Sequence, residues 1–206
     1  MAEPGYDPTL PRCSWSSAAG ERPDEAMIRY HDEEWGTPCH DDVELFERLA
    51  LESFQAGLSW TTILRKRAAF RAAFRGFVPE VVGAFDEVDR ARLMADAGIV
   101  RNRAKIEATI GNALAWQAVG REFGSVDAYL ASMVPGAPVR LGPEVGPGQV
   151  PATTAISDAL SKDLRRRGFR FVGSTIVYAF LQSVGLVDDH VAGCFRYRGE
   201  GRAAKP

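Results

Sequence analysis

Cysteine is scarce in this chain. Cys13, Cys39 and Cys194 are the three among 206 residues. Three cannot build a disulfide framework, so they read as thiols or metal ligands in a reducing compartment. Long apolar runs are lacking too, and nothing approaches the ~18 residues of a membrane span. The opening MAEPGYDPTLPR has no basic-then-apolar order of a signal peptide. The expectation is a cytoplasmic protein with no membrane partner. Val, Ile and Thr rarely alternate with polar residues, so no strand is expected, and no internal repeat is found. Neither sign of charge dominates, the formal net charge being −2. Residues 1–60 nevertheless hold 13 acids against 4 bases, and the remainder 14 against 21. The acidic total therefore does not exclude a nucleic-acid partner. The bases gather in three clusters: Arg65, Lys66, Arg67, Arg71 and Arg75; Arg101, Arg103 and Lys105; and Lys162, Arg165, Arg166, Arg167 and Arg170. Each cluster alone reads as a solvated helix face.

At 46% hydrophobic and 25% charged residues, the composition is that of a soluble globular enzyme. The length suits one domain, or two small ones sharing a core. The periodicity predicts an all-α fold of about seven to nine helices. One begins at Asp41, with Glu44 three residues on as in a capping box, and ends at Gly57. Ser59 N-caps the next, whose apolar stripe is Trp60, Ile63, Leu64, Phe70 and Phe74. Others are expected near 87–97, 103–117 (Ile106, Ile110 and Leu114 on one face), 157–167 and 172–184. Residues 135–151, with five prolines and four glycines, read as a long loop.

Within LESFQAGLSW, residues 51–60, Glu52 stands almost at the end of its helix and borders the apolar stripe through Leu45 and Leu49. A helix C-terminus disfavours an anion by roughly 0.3–1 kcal/mol. Either the charge is a tolerated surface group, or something requires a negative group there.

DAGIVRNRAKI, residues 96–106, sets a glycine between two helices and bases at the start of the second. Such a turn offers free backbone N–H groups and a positive dipole end to one DNA phosphate. It resembles a helix-hairpin-helix, with Arg101 where a second glycine is usual. An ordinary αα-corner is the competing reading.

Cys13 in RCSW and His31 in YHDEEWG lie near one end of the chain, His190 and Cys194 in DDHVAGC near the other. Together they would make a closed Cys₂His₂ zinc site, structural because it leaves no position for water. By spacing alone, chance stays an open alternative. Cys39-His40 is a competing pair and reads as a surface feature.

These segments, with SDALSKDLRRRGFRFVG, occur in an order that resembles the DNA-3-methyladenine glycosylase I family over residues 12–195. The resemblance implies a helix-hairpin-helix glycosylase fold as a single domain over 12–195, with 1–11 and 196–206 as tails. It implies a structural zinc on Cys13, His31, His190 and Cys194. It implies excision of 3-methyladenine from alkylated double-stranded DNA by a monomer, through hydrolysis of the N-glycosidic bond and without a lyase step. The base is flipped out of the stack into a pocket. The residues that match this pocket are Trp15, Tyr30, Glu52 and Trp60, with Met27 where a tyrosine is common. Aromatic faces hold a flipped base at roughly 1–3 kcal/mol per stack, and rings and carboxylate both attract a cationic methylated adenine. Glu52 is the implied catalytic residue. Gly57 and Leu58 are expected to enter the gap in the duplex, and Gly98, Arg101, Arg103 and Lys105 to meet the backbone.

Many helix-hairpin-helix glycosylases carry an Asp roughly twenty residues beyond the hairpin. Between Trp116 and Val126 the only acid is Glu122. The resemblance implies that none is needed, since the alkylated base leaves readily, and that selective binding of the base supplies much of the catalysis. The insert SAAGERPDEA and Phe54, which replaces a common glutamine, are further departures. Met27 and Phe54 motivate a second class of function, a glycosylase-like protein that binds damaged DNA without cleaving it. A zinc hydrolase of small molecules is a third, and requires an open metal position.

Overall fold

The structure is a computed structural model that describes residues 7, 9–16, 24–140 and 148–199. Most of the two expected tails and much of the 135–151 loop lie outside these residues. The chain divides into two compact units. One comprises residues 1–38, 136–151 and 182–206, the other residues 39–135 and 152–181.

The first unit holds helix α1 (Glu25–Arg29), which runs into a π-helical turn, Tyr30–Glu34. It also holds two strands, β1 (Val139–Arg140) and β2 (Val187–Asp188). They pair in parallel, Val139 with Val187 and Arg140 with Asp188. This corrects the expectation of no strand. Two residues a side are too few to show an alternating pattern.

The second unit is helical: α2 (Asp42–Gln55), α3 (Trp60–Ala73), α4 (Pro79–Gly83), α5 (Glu87–Ala95), α6 (Arg103–Phe123), α7 (Val126–Met133), α8 (Ala155–Arg166) and α9 (Ser174–Ser183, its last two residues counted with the first unit). Asp41, Ser59, Asp86, Asn102, Ser125 and Thr154 each accept a first-turn N–H, which is why these helices begin where they do. α6 continues six residues past the expected Gln117 and stops at Gly124, φ 89°. Leu114 is exposed, and the core face of α6 carries Ile106, Ile110 and Ala113 instead.

α2 is the centre of this unit, and Leu45 to Phe54 are all buried. A helix surrounded on every side cannot be read from an amphipathic stripe. Phe54 packs on Phe70 and Phe74 at centroid distances of 4.7 and 5.8 Å. Each such buried side chain contributes about 1.5–3 kcal/mol. Buried Glu47 takes Nε of Arg67 and Arg71 at 2.6 and 2.8 Å. Two members of the first basic cluster thus neutralise a core carboxylate.

Candidate functional site

α2 and α3 meet at a corner that only residues tolerant of positive φ can make. Gly57 has φ +80° and nothing within 4 Å of a hypothetical Cβ, so its requirement is conformational. Leu58 beside it is 40% exposed. Trp60 opens α3 and is half-buried.

Glu52 lies one turn before this corner and is 4% exposed. It is enclosed, where the sequence places it at the border of a buried face. Burial pushes its carboxyl up to about 8, and no hydrogen bond or cation among the described residues counters that. Glu47, five residues earlier, has two guanidinium partners. A buried carboxyl with no internal partner is destabilising in its charged form. Such a group is a candidate for a functional site.

The C-terminal end of α2 is neutralised by other means. Lys105 is buried, and its Nζ donates to the carbonyls of Phe54 at 2.8 Å and Ala56 at 2.6 Å. A cation on the last carbonyls offsets the dipole. Lys105, expected from the sequence to meet the DNA backbone, thus has its ammonium engaged on a helix end.

The α5–α6 turn, residues 96–102, is held from below by Lys66, whose Nζ donates to Ala97 and Gly98 carbonyls at 3.0 Å each. Gly98 N–H donates to Asp96 Oδ1 at 2.7 Å. A Cβ on Gly98 would lie 2.9 Å from that oxygen and 3.0 Å from Ala69 Cβ, so close approach dictates glycine here. Asn102 caps α6. Arg101 and Arg103 are exposed, Arg103 with Glu87 and Glu107 at 3.7 and 3.8 Å.

In the first unit the Cys13, His31 and Cys194 donor atoms lie within 4.8 Å of one another, all buried. Cys194 Sγ is 3.4 Å from His31 Nε2, the spacing of neighbouring donors around a tetrahedral zinc. The hydrogen bond from Cys13 pulls the Cys194 thiol down, and the same bond pushes the Cys13 thiol up. A lowered thiol favours the thiolate, the form that binds metal. His190 stands outside the set of three, but its ring is 5.0 Å from that of His31. Its Nε2 is buried with no partner among the described residues. An orphaned buried nitrogen is costly, and a fourth ligand position is its natural use. The donor set therefore fits an ion.

The rings around this cluster belong to the same motifs. Trp15, 37% exposed, meets Trp35 at 4.9 Å, His31 at 5.4 Å and Tyr30 at 6.2 Å. Trp35 lies edge-on to His190 at 4.6 Å. Gly36, φ +69°, would bring a Cβ within 2.8 Å of His190 Cε1. Met27 and Tyr30 are buried.

The sequence reading overlooked Arg12, Asp32, Trp35, Asp188 and Arg140. Burial would raise Asp32, but the hydrogen bonds from Arg12 and His31 hold it below its ordinary value. Asp188 is held low in the same way by His190 and Arg140. A carboxylate one or two residues from a candidate ligand histidine was a legible signal for Asp32 and Asp188. Nothing local pointed to Arg140, which β1 brings to its place.

Comparison with known proteins accounts for these motifs. A family profile described as methyladenine glycosylase matches residues 19–197. DNA-3-methyladenine glycosylase 1 of Escherichia coli (strain K12) is 46% identical over 190 residues, 92% of this chain and 98% of that protein. A crystal structure of 3-methyladenine DNA glycosylase I is similar at a TM-score of 0.84 and 45% identity, over 90% of this chain and 99% of that one. A solved variant of such an enzyme, in complex with 3-methyladenine, is similar at a TM-score of 0.81 and 37% identity, over 87% of this chain and 95% of that one. The chain belongs to the methyladenine glycosylase family.

Proposed function

We propose that this chain removes 3-methyladenine from alkylated double-stranded DNA by hydrolysing its N-glycosidic bond, and so begins base excision repair. Family membership supports the activity, and buried Glu52, with its unmatched carboxyl, is the observation that gives it a mechanism. In the nucleotide a 3-methylated adenine carries positive charge, and a good leaving group departs with the bond electrons while water supplies the new bond at the sugar. A cation beside Glu52 favours the carboxylate and lowers its proton affinity. Glu52 thus recognises the charged base, accepts from its amino edge and orients the water. Catalysis then comes from holding the cationic base better than a neutral one.

Trp15, Met27, Tyr30 and Trp60 are the proposed base-binding residues, as the family's motif positions imply. The α5–α6 turn serves as a helix-hairpin-helix, with Arg101 and Arg103 on phosphate and Gly57 and Leu58 entering the duplex. Cys13, His31, His190 and Cys194 would hold a structural zinc, which supplies cross-linking of two chain segments and no step of the reaction. We read the enzyme as a cytoplasmic monomer without lyase activity, and the engagement of Lys105 Nζ on two carbonyls supports the last point.

The reading of a binder without activity loses one of its motives. Phe54 is fully buried among Phe70 and Phe74, so it fills core rather than altering a base site. The deciding experiment is chromatography of bases released from methylated duplex DNA. Wild type is expected to release 3-methyladenine, and Glu52→Gln to lose about 100-fold, a typical effect of removing a positioned acid–base group. A folded wild-type protein that binds alkylated duplex and releases no base would sink the proposal.

A further inference from the structure

The metal reading above concerns four ligands. Resting on it, we propose that Arg12 and Arg140 are positioning residues of the metal centre, each fixing one ligand histidine through a carboxylate so that its Nε2 faces the ion. The same three-part brace occurs twice. Arg12 Nε contacts both oxygens of Asp32, at 2.9 and 3.1 Å, and its terminal nitrogen reaches Oδ2 at 2.7 Å. Asp32 Oδ1 in turn accepts from His31 Nδ1 at 2.7 Å. Arg140 Nε meets Asp188 Oδ2 at 3.2 Å, and Asp188 Oδ1 accepts from His190 Nδ1 at 2.7 Å.

The chemistry of each brace is directional. An ionised carboxylate only accepts, so Nδ1 must carry the proton and Nε2 keeps its lone pair. The negative charge strengthens that lone pair as a ligand. The guanidinium holds the carboxylate to one orientation and keeps it from turning onto the ion. Arg12 is itself anchored, its second terminal nitrogen donating to the carbonyls of Asp7 and Leu10 at 2.9 and 3.0 Å. Arg140 is anchored by the β1–β2 register, which sets it opposite Asp188. The braces come from separate segments, residues 12 and 32 in one and 140 and 188 in the other, and converge on two rings 5.0 Å apart. A chance ion pair explains one of them poorly and both together worse.

The test uses the full chain and its Arg12→Gln, Arg140→Gln and Asp188→Asn variants, with zinc as the probe in competition with a chromophoric chelator. Zinc binding is expected to weaken 10–100-fold in each variant, the usual effect of losing an outer partner of a ligand. Cobalt-loaded variants are expected to show altered absorption bands, while the metal-free variants melt where metal-free wild type melts. Asp188→Asn is nearly isosteric and serves should an arginine variant fail to fold. Variants that hold zinc as tightly as wild type would overturn the proposal. So would metal-free variants that lose as much stability as loaded ones, since the arginines would then be ordinary fold supports. A wild-type chain that binds no zinc would remove the metal reading itself, an outcome distinct from either.

Discussion

At the scale of single residues, Glu52 carries the sharpest consequence. Its carboxyl is pushed up to about 8 by burial, from an ordinary 4.5. Below pH 4.5 the folded and unfolded chains are both protonated there, and Glu52 has no effect on stability. As pH rises from 4.5 towards 8, the unfolded chain releases the proton and the folded chain keeps it. Stability therefore falls by about 1.4 kcal/mol per pH unit, to a loss of roughly 4–5 kcal/mol above pH 8. Glu52→Gln removes this loss. Urea denaturation is expected to show the variant gaining on wild type by several kcal/mol between pH 5 and pH 9. A difference independent of pH would mean that Glu52 has an internal partner after all. The residue that the proposed chemistry needs is thus one the fold tolerates at a cost, as at many functional sites.

The elements explain how that cost is contained. α2 ends next to Glu52, and Lys105 from α6 neutralises its last carbonyls. Lys105→Met is expected to destabilise the protein by about 1.5–3 kcal/mol, the range for hydrogen bonds to a charged donor, as measured by denaturant unfolding. Its DNA affinity is expected to keep the wild-type salt dependence. Arg101→Ala and Arg103→Ala, on the exposed side of the same turn, are expected to do the reverse. Stability holds, and the slope of log affinity against log salt falls by about one for each phosphate left without its arginine. If Lys105→Met lowered the slope and left stability unchanged, the two roles would be exchanged. The α5–α6 turn could be located from its glycine and bases, but which bases face outward could not. Side-chain direction depends on the neighbouring helix, and in sequence Lys105 and Arg103 look alike.

Over the whole molecule, residues far apart in sequence meet in the first unit, where positions 13, 31, 190 and 194 come together. Chelation of the metal is expected to lower the melting temperature and to expose the termini to limited proteolysis first. Mass spectrometry is expected to find one zinc per chain. Equal melting with and without chelator would show that the ion does not hold these segments. No helix among the described residues is long and apolar enough to cross a membrane.

The order of motifs in the chain was enough to identify the family and to single out Glu52 and the four proposed metal-binding positions. It was enough also for the six longest helices, though not for α1, α4 and α7, since capping residues, apolar period and terminal glycines are local and act within a few residues of themselves. Tertiary structure alone decided the rest. It enclosed Glu52 on every side, turned Lys105 inward to a helix end, exposed Leu114 and set Arg140 opposite Asp188. Each of these depends on which distant segment lies alongside, and burial, charge pairing and proton affinity are properties of that neighbourhood rather than of any stretch of chain.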